Sequence, residues 1–124
     1  MPFISSNAQS YTGKSVGDGH CVAFVRAASG SPHSSLWSKG KSVKDSAAIT
    51  SGTAIATFDE SGRYGSRKDG TCHAAIFIRK TVVGIVVLDQ WITNGKRQAV
   101  HERVIRFKAI GKKINNGDEY HVIE

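Results

Sequence analysis

Proline and cysteine are both scarce in this chain, with two of each among 124 residues. Two cysteines exclude a disulfide-stapled scaffold and a four-cysteine zinc site. Long apolar runs are also missing. The longest, Val82 to Leu88, falls far short of the ~20 residues that a membrane-spanning helix needs. The start, Met1-Pro2-Phe3-Ile4-Ser5-Ser6-Asn7, has neither the basic residues nor the apolar stretch of an ordinary secretory signal. Acidic residues are outnumbered, ten against seventeen Lys and Arg, which leaves a net charge of +7 and a pI near 9.7. That excess predicts affinity for polyanions such as nucleic acid, anionic lipid or bacterial cell wall, and does not choose among them. The basic residues are scattered and no aromatic–basic motif accompanies them, so no specific nucleic-acid binding is read.

What is present is an ordinary globular composition, 40% hydrophobic and 22% charged, at a length that fits one domain, 1–124. Glycine is plentiful, at thirteen residues, which predicts many tight turns. Residues 1–19 read as an irregular lead-in ending in Gly17-Asp18-Gly19. Cys21 to Ala28 has apolar residues at helical spacing, with Asp18 as the expected N-cap and Gly30 as the stop. Residues 31–52 read as a long polar loop with one helical turn, anchored by Leu36, Trp37 and Val43. Strands are expected at Thr53 to Phe58, His73 to Ile78, Val82 to Trp91, Val100 to Phe107 and Tyr120 to Ile123. Only Arg79-Lys80-Thr81 separates the second and third, which predicts a hairpin, and Thr93-Asn94-Gly95 predicts another turn. One early helix followed by about five strands is an α+β pattern with an antiparallel sheet.

Cys21 follows a Gly-Asp-Gly-His turn and opens the predicted helix. Amides and the dipole at a helix start stabilise an anion and lower a thiol's pKa. Position alone leaves two readings, a nucleophile or a small buried residue. Among five histidines, His73 stands at the mouth of an apolar strand, held rigidly yet open to a cleft. His33, His101 and His121 sit in polar or surface settings, and His20 is too near Cys21 in sequence to reach back. Asp89 interrupts an apolar strand, and burying an acid there is costly without a partner. The predicted hairpin brings the start of one strand against the end of the next, hence His73 beside Asp89. A Cys21–His73–Asp89 set follows, in which the carboxylate orients the imidazole and the imidazole activates the thiol. A Cys2His2 metal site from His20, Cys21, Cys72 and His73 is disfavoured, because adjacent strand residues point to opposite faces. No metal or cofactor is therefore assigned. A Cys21–Cys72 disulfide would disarm the nucleophile, which makes reversible oxidation a hypothesis.

These residues, in this order, resemble the CHAP and NlpC-type cysteine amidases, small papain-like enzymes that cut peptidoglycan. More narrowly, the chain resembles a small proteobacterial family related to type VI secretion amidase effectors. The carriers are Val16-Gly17-Asp18-Gly19-His20-Cys21-Val22-Ala23, Gly52-Thr53-Ala54-Ile55-Ala56-Thr57-Phe58, Gly62-Arg63-Tyr64 and His73-Ala74-Ala75-Ile76, with a late Asn115-Asn116-Gly117-Asp118 turn. The chain departs from the pattern in having His20 where relatives have Gln, Asp89 where CHAP domains have Glu, and Trp91 where they often have Asn. The resemblance implies a papain-like fold whose N-terminal helix carries Cys21 against the sheet. It implies a monomer acting on peptidoglycan stem peptides by Cys21 attack, with His73 as acid and base. His20 is a candidate oxyanion donor, and Trp37, Tyr64, Gln90 and Trp91 are candidates for lining the substrate site, although the aromatics are equally natural core residues. It further implies export from the producer's cytoplasm by a dedicated machine, and an immunity protein that plugs the cleft. Two alternatives stay open: a non-catalytic basic module that binds polyanions or cell wall, and a cysteine amidase acting on another amide.

Overall fold

The computed structural model describes residues 1–124 and contains one α-helix and six strands. Helix α1 spans Cys21–Ser29; the strands are β1 (Lys39–Ser42), β2 (Ala54–Thr57), β3 (Ala74–Lys80), β4 (Gly84–Thr93), β5 (Lys96–Arg106) and β6 (Tyr120–Ile123). They form one antiparallel sheet in the order β1-β6-β2-β3-β4-β5. The α+β expectation therefore holds, with one strand more than expected.

Two hairpins supply most of the sheet. Asn94 and Gly95 both adopt positive φ, 51° and 73°, and Thr93 pairs directly with Lys96. This is the two-residue turn that matches strand twist. It returns the chain at once, so β5 begins at Lys96, earlier than the residue pattern suggested. Between β3 and β4 the Thr81 amide donates to the Gly84 carbonyl at 2.8 Å.

Both faces of the sheet are covered. On one, Phe24, Val25 and Ala28 of α1 pack on Ala54, Ala56, Ala74, Ile76 and Leu88. On the other, Ile55, Phe77, Ile85, Val87, Ile105, Tyr120 and Val122 enclose Val43. The consequence for β4 is that its first seven residues, Gly84 to Gln90, are all buried, so a polar side chain there must find an internal partner.

Three local expectations are corrected. Asp18 does not cap α1: the N-cap is His20, and the Asp18 carboxylate instead accepts the His20 backbone N–H at 3.0 Å, shaping the turn just before the helix. Gly30 does close the helix, in the left-handed region at φ 73°. The polar stretch 31–52 contains its helical turn, Ser34–Leu36, but also strand β1. Lys39-Gly40-Lys41-Ser42 has no apolar alternation to betray a strand. It forms because its backbone completes the edge beside β6, where Ser38 and Glu124 exchange two hydrogen bonds of 2.9 Å. Leu36 is 67% exposed and anchors nothing, whereas Trp37 and Val43 are buried.

Gly52 ties the N-terminal segment to the sheet. Its carbonyl accepts the Ser5 amide at 2.8 Å and its amide donates to Phe77 at 2.7 Å. Its φ is +98°, and a Cβ there would lie 2.2 Å from the Ser5 carbonyl oxygen. Gly13, at φ +85°, faces open space. Urea unfolding should show Gly52→Ala destabilised by at least about 2 kcal/mol, from backbone strain and overpacking together, and Gly13→Ala by only about 1 kcal/mol. Equal midpoints for the two variants would contradict this account.

Candidate active site

Cys21 is the first residue of α1 and is half-buried. No side chain caps the helix start, so its first amides face the site unclaimed by a capping group. The Tyr64 hydroxyl lies 3.6 Å from Sγ. Burial pushes the Cys21 thiol up. A hydrogen bond from His73 and the charge of that ring, the Tyr64 hydroxyl and the Ala74 amide outweigh it and hold the thiol below its ordinary value.

His73 immediately precedes β3 and is buried. Its backbone is clamped by Thr57 of β2. The His73 amide donates to Thr57 Oγ1 at 3.1 Å, and that hydroxyl donates onward to the Thr71 carbonyl at 2.8 Å. The His73 ring donates from Nε2 to Asp89 Oδ2 at 2.7 Å, which leaves Nδ1 for the thiol. Burial disfavours the imidazolium, yet the hydrogen bonds to Asp89 and Cys21 prevail and raise His73 to about 9.

Asp89 is fully buried in β4. Besides His73 it accepts from Arg103, with Nε at 2.9 and 3.1 Å from its two oxygens and Nη2 at 2.7 Å. Burial pushes this carboxyl up, while His73 and Arg103 hold it below the ordinary carboxylate value. The hairpin thus places His73 against Asp89, as the residue pattern predicted. Arg103 went unread. Its signal lies in the register: the two-residue turn sets Trp91 against Gln98, a bulge of one extra β5 residue follows, and Asp89 then pairs with His101 and Val87 with Arg103. Arg103 is therefore a diagonal same-face neighbour of Asp89.

The remaining candidates fall in different places. Gln90 is completely buried and does not face the cleft. Its amide accepts the Val16 N–H at 2.8 Å and donates to the carbonyls of Val16 and His20 at 2.9 and 2.8 Å. It thereby fastens the loop that delivers Cys21. Trp37 is also core, 1% exposed, with its indole N–H on the Pro32 carbonyl and its ring 5.0 Å from that of Tyr64. His20, Tyr64 and Trp91 do line the cleft that holds Cys21, Cys72 and His73, a space of about 980 Å³. Both cysteines are free thiols. No group of three or more His, Cys, Asp or Glu side chains is arranged to hold a metal ion. Among the lining residues Arg26, Arg67, Lys68 and Lys112 are basic, in addition to Arg103, and Asp18 alone is acidic. A thiol at a helix start, an imidazole beside it and a carboxylate behind the imidazole can hold a thiolate–imidazolium pair and attack a carbonyl carbon.

The comparisons with known proteins agree with this geometry. A family model described as domesticated amidase effector 2 matches residues 2–123. A type VI secretion amidase effector 2 protein of Salmonella typhi is 33% identical, with all of both chains covered. A domesticated amidase effector 2 of Ixodes scapularis is 39% identical over 84% of this chain and 70% of its own length. A solved structure of a type 6 secretion amidase effector 2 superimposes with a TM-score of 0.85 at 29% identity, covering 98% of this chain and 94% of that one. The papain-like α+β expectation is thus met, and amidases are by definition hydrolases of amide bonds. On the whole-length family match and the two relatives, the chain belongs to the domesticated amidase effector 2 family.

Proposed function

We propose that this chain is a peptidoglycan amidase that cuts a stem-peptide amide through Cys21, His73 and Asp89. The observation that carries the reading is the buried His73–Asp89 contact of 2.7 Å beside a thiol that the same imidazole helps to hold below its ordinary pKa. In this mechanism the Cys21 thiolate attacks the amide carbon and forms a C–S bond. The oxyanion is received by the helix-start amide of Cys21, with the Tyr64 hydroxyl or the His20 side chain as a further donor. The His73 imidazolium gives its proton to the departing amine as the C–N bond breaks. Neutral His73 then takes a proton from water, whose hydroxide attacks the thioester. The acid leaves and the thiolate returns. Asp89 keeps the imidazole oriented and offsets its positive charge.

The cationic lips support a substrate rich in carboxylates, as stem peptides are, and Trp91 offers an apolar wall beside them. The relatives' names support delivery as a type VI secretion effector in the antibacterial setting. A producer of such an enzyme needs an immunity protein, and the cleft is the surface for it to fill.

Digestion of purified sacculi tests the reading. Cys21→Ala should abolish muropeptide release, and Asp89→Asn should lower the rate by up to about 10⁴-fold. Equal release by wild type and Cys21→Ala would leave a binding module, and mass spectrometry of the products identifies the bond cut. The pH profile follows from the two shifts. Activity rises as the Cys21 thiol ionises below its ordinary value, and falls as His73 loses its proton near pH 9, because the amine then leaves without an acid. Measured kcat/KM should therefore be bell-shaped, with its alkaline limb close to 9. An alkaline limb at the ordinary histidine value would contradict it.

A further inference from the structure

Asp89 has two partners, and only His73 has a place in the mechanism so far. A buried carboxylate has two oxygens to satisfy. His73 serves Oδ2, while Oδ1 is served by Arg103 Nε at 3.1 Å. No other side chain takes that role. Tyr120, fully buried nearby, commits its hydroxyl to the Ile114 carbonyl at 2.7 Å. Arg103 is itself held in place, its guanidinium 4.9 Å over the Trp91 ring, which packs edge-on against His101 at 4.9 Å. Its side chain is 26% exposed and reaches the cleft wall. A surface ion pair is worth little, but a planar fork onto a fully buried carboxylate fixes geometry as well as charge.

We propose that Arg103 is a positioning residue of the catalytic set, which fixes the Asp89 carboxylate toward His73 Nε2 and limits the negative charge that the imidazole feels. This rests on the Cys21–His73–Asp89 reading above. The charged and titratable groups packed around His73 and Asp89 are Cys21 from α1, Arg103 and His101 from β5, with His101 directly opposite Asp89, and Tyr120 from β6, while Tyr64 adjoins Cys21. Arg103 is the only permanent cation among them. With its charge removed, Asp89 turns its full charge on His73, which then keeps its proton to higher pH. The alkaline limb of the profile, which His73 sets, moves up. With lysine in its place the charge remains but the fork does not, so the limbs stay near wild type while the rate falls through poorer aim.

The test is the pH dependence of Cys21 alkylation by iodoacetamide, followed on the Cys21 peptide by mass spectrometry so that Cys72 does not interfere, together with kcat and KM on sacculi. Arg103→Met should move the alkaline limb up by about one pH unit and lower kcat by about 10²-fold with KM little changed. Arg103→Lys should restore the limb positions and only part of kcat. In an Asp89→Asn background, Arg103→Met should shift nothing further. Wild-type limb positions in folded Arg103→Met, or the same shift without Asp89, would overturn the proposal. Should Arg103→Met fail the urea-unfolding check, Arg103→Lys decides alone, and an unchanged kcat overturns it. Failure of the underlying reading looks different, because wild-type Cys21 would then label like an unfolded-chain thiol at every pH.

Discussion

The hydrogen bond between His73 and Asp89 is the constraint around which the site is built. A carboxylate with no solvent exposure is tolerable only if it is paired and hydrogen-bonded, and an imidazolium in the same environment has the same requirement. Each therefore depends on the other, and both depend on the β3–β4 hairpin for their meeting. The clamp on the His73 backbone by Thr57, itself anchored on Thr71, keeps the ring from swinging away. Burial works against the charged form of every member, and the shifts toward the charged forms arise only because the partners are already in position. This is electrostatic preorganisation in the literal sense, with the reorganisation done during folding.

Strand β4 extends this control to the nucleophile. Asp89 and Gln90 are consecutive, so their side chains leave opposite faces of the sheet. Asp89 turns toward His73 and Arg103. Gln90 turns toward the helix side and binds both ends of the Val16–His20 loop. One strand thus positions the His73 imidazole with one residue and the loop leading to Cys21 with the next. A shift of β4 by one residue would exchange the two side chains and disable both. The two-residue Asn94-Gly95 turn and the β5 bulge that follows it together fix that register and bring Arg103 diagonally under Asp89.

These relations explain what was legible in the sequence. Cys21, His73 and Asp89 could be read because each breaks a local rule: a thiol after a glycine turn, a histidine at a strand mouth, an acid inside an apolar strand. The hairpin then supplied the distance. Arg103 breaks no rule. It lies in a strand where His101, Glu102, Arg103 and Arg106 all look like surface residues, and only the register singles it out. Gln90, a candidate for the substrate site, instead holds a loop, a role open to any polar residue buried in a strand. Strand β1 has no side-chain signature at all, since its pairing with β6 is a matter of backbone groups at a sheet edge. Trp37, a candidate for both cleft and core, is core and sits one layer beneath the cleft.

That displaced tryptophan bears on the chemistry through Tyr64. The Trp37 ring supports the Tyr64 ring at 5.0 Å, and the Tyr64 hydroxyl meets Cys21 Sγ. Burial, and the negative charge of Cys21 beside it, drive the Tyr64 hydroxyl far above its ordinary value. It therefore stays protonated whenever the thiolate exists, and can only donate to it. The same donor is well placed once negative charge passes from sulfur to the substrate oxygen. The departure at His20 that the resemblance implies thus falls in a site where the Tyr64 hydroxyl is another donor. The basic side chains at the lips act at longer range and favour an anionic ligand, while the charges of His73, Asp89 and Arg103 are already paired off inside the protein.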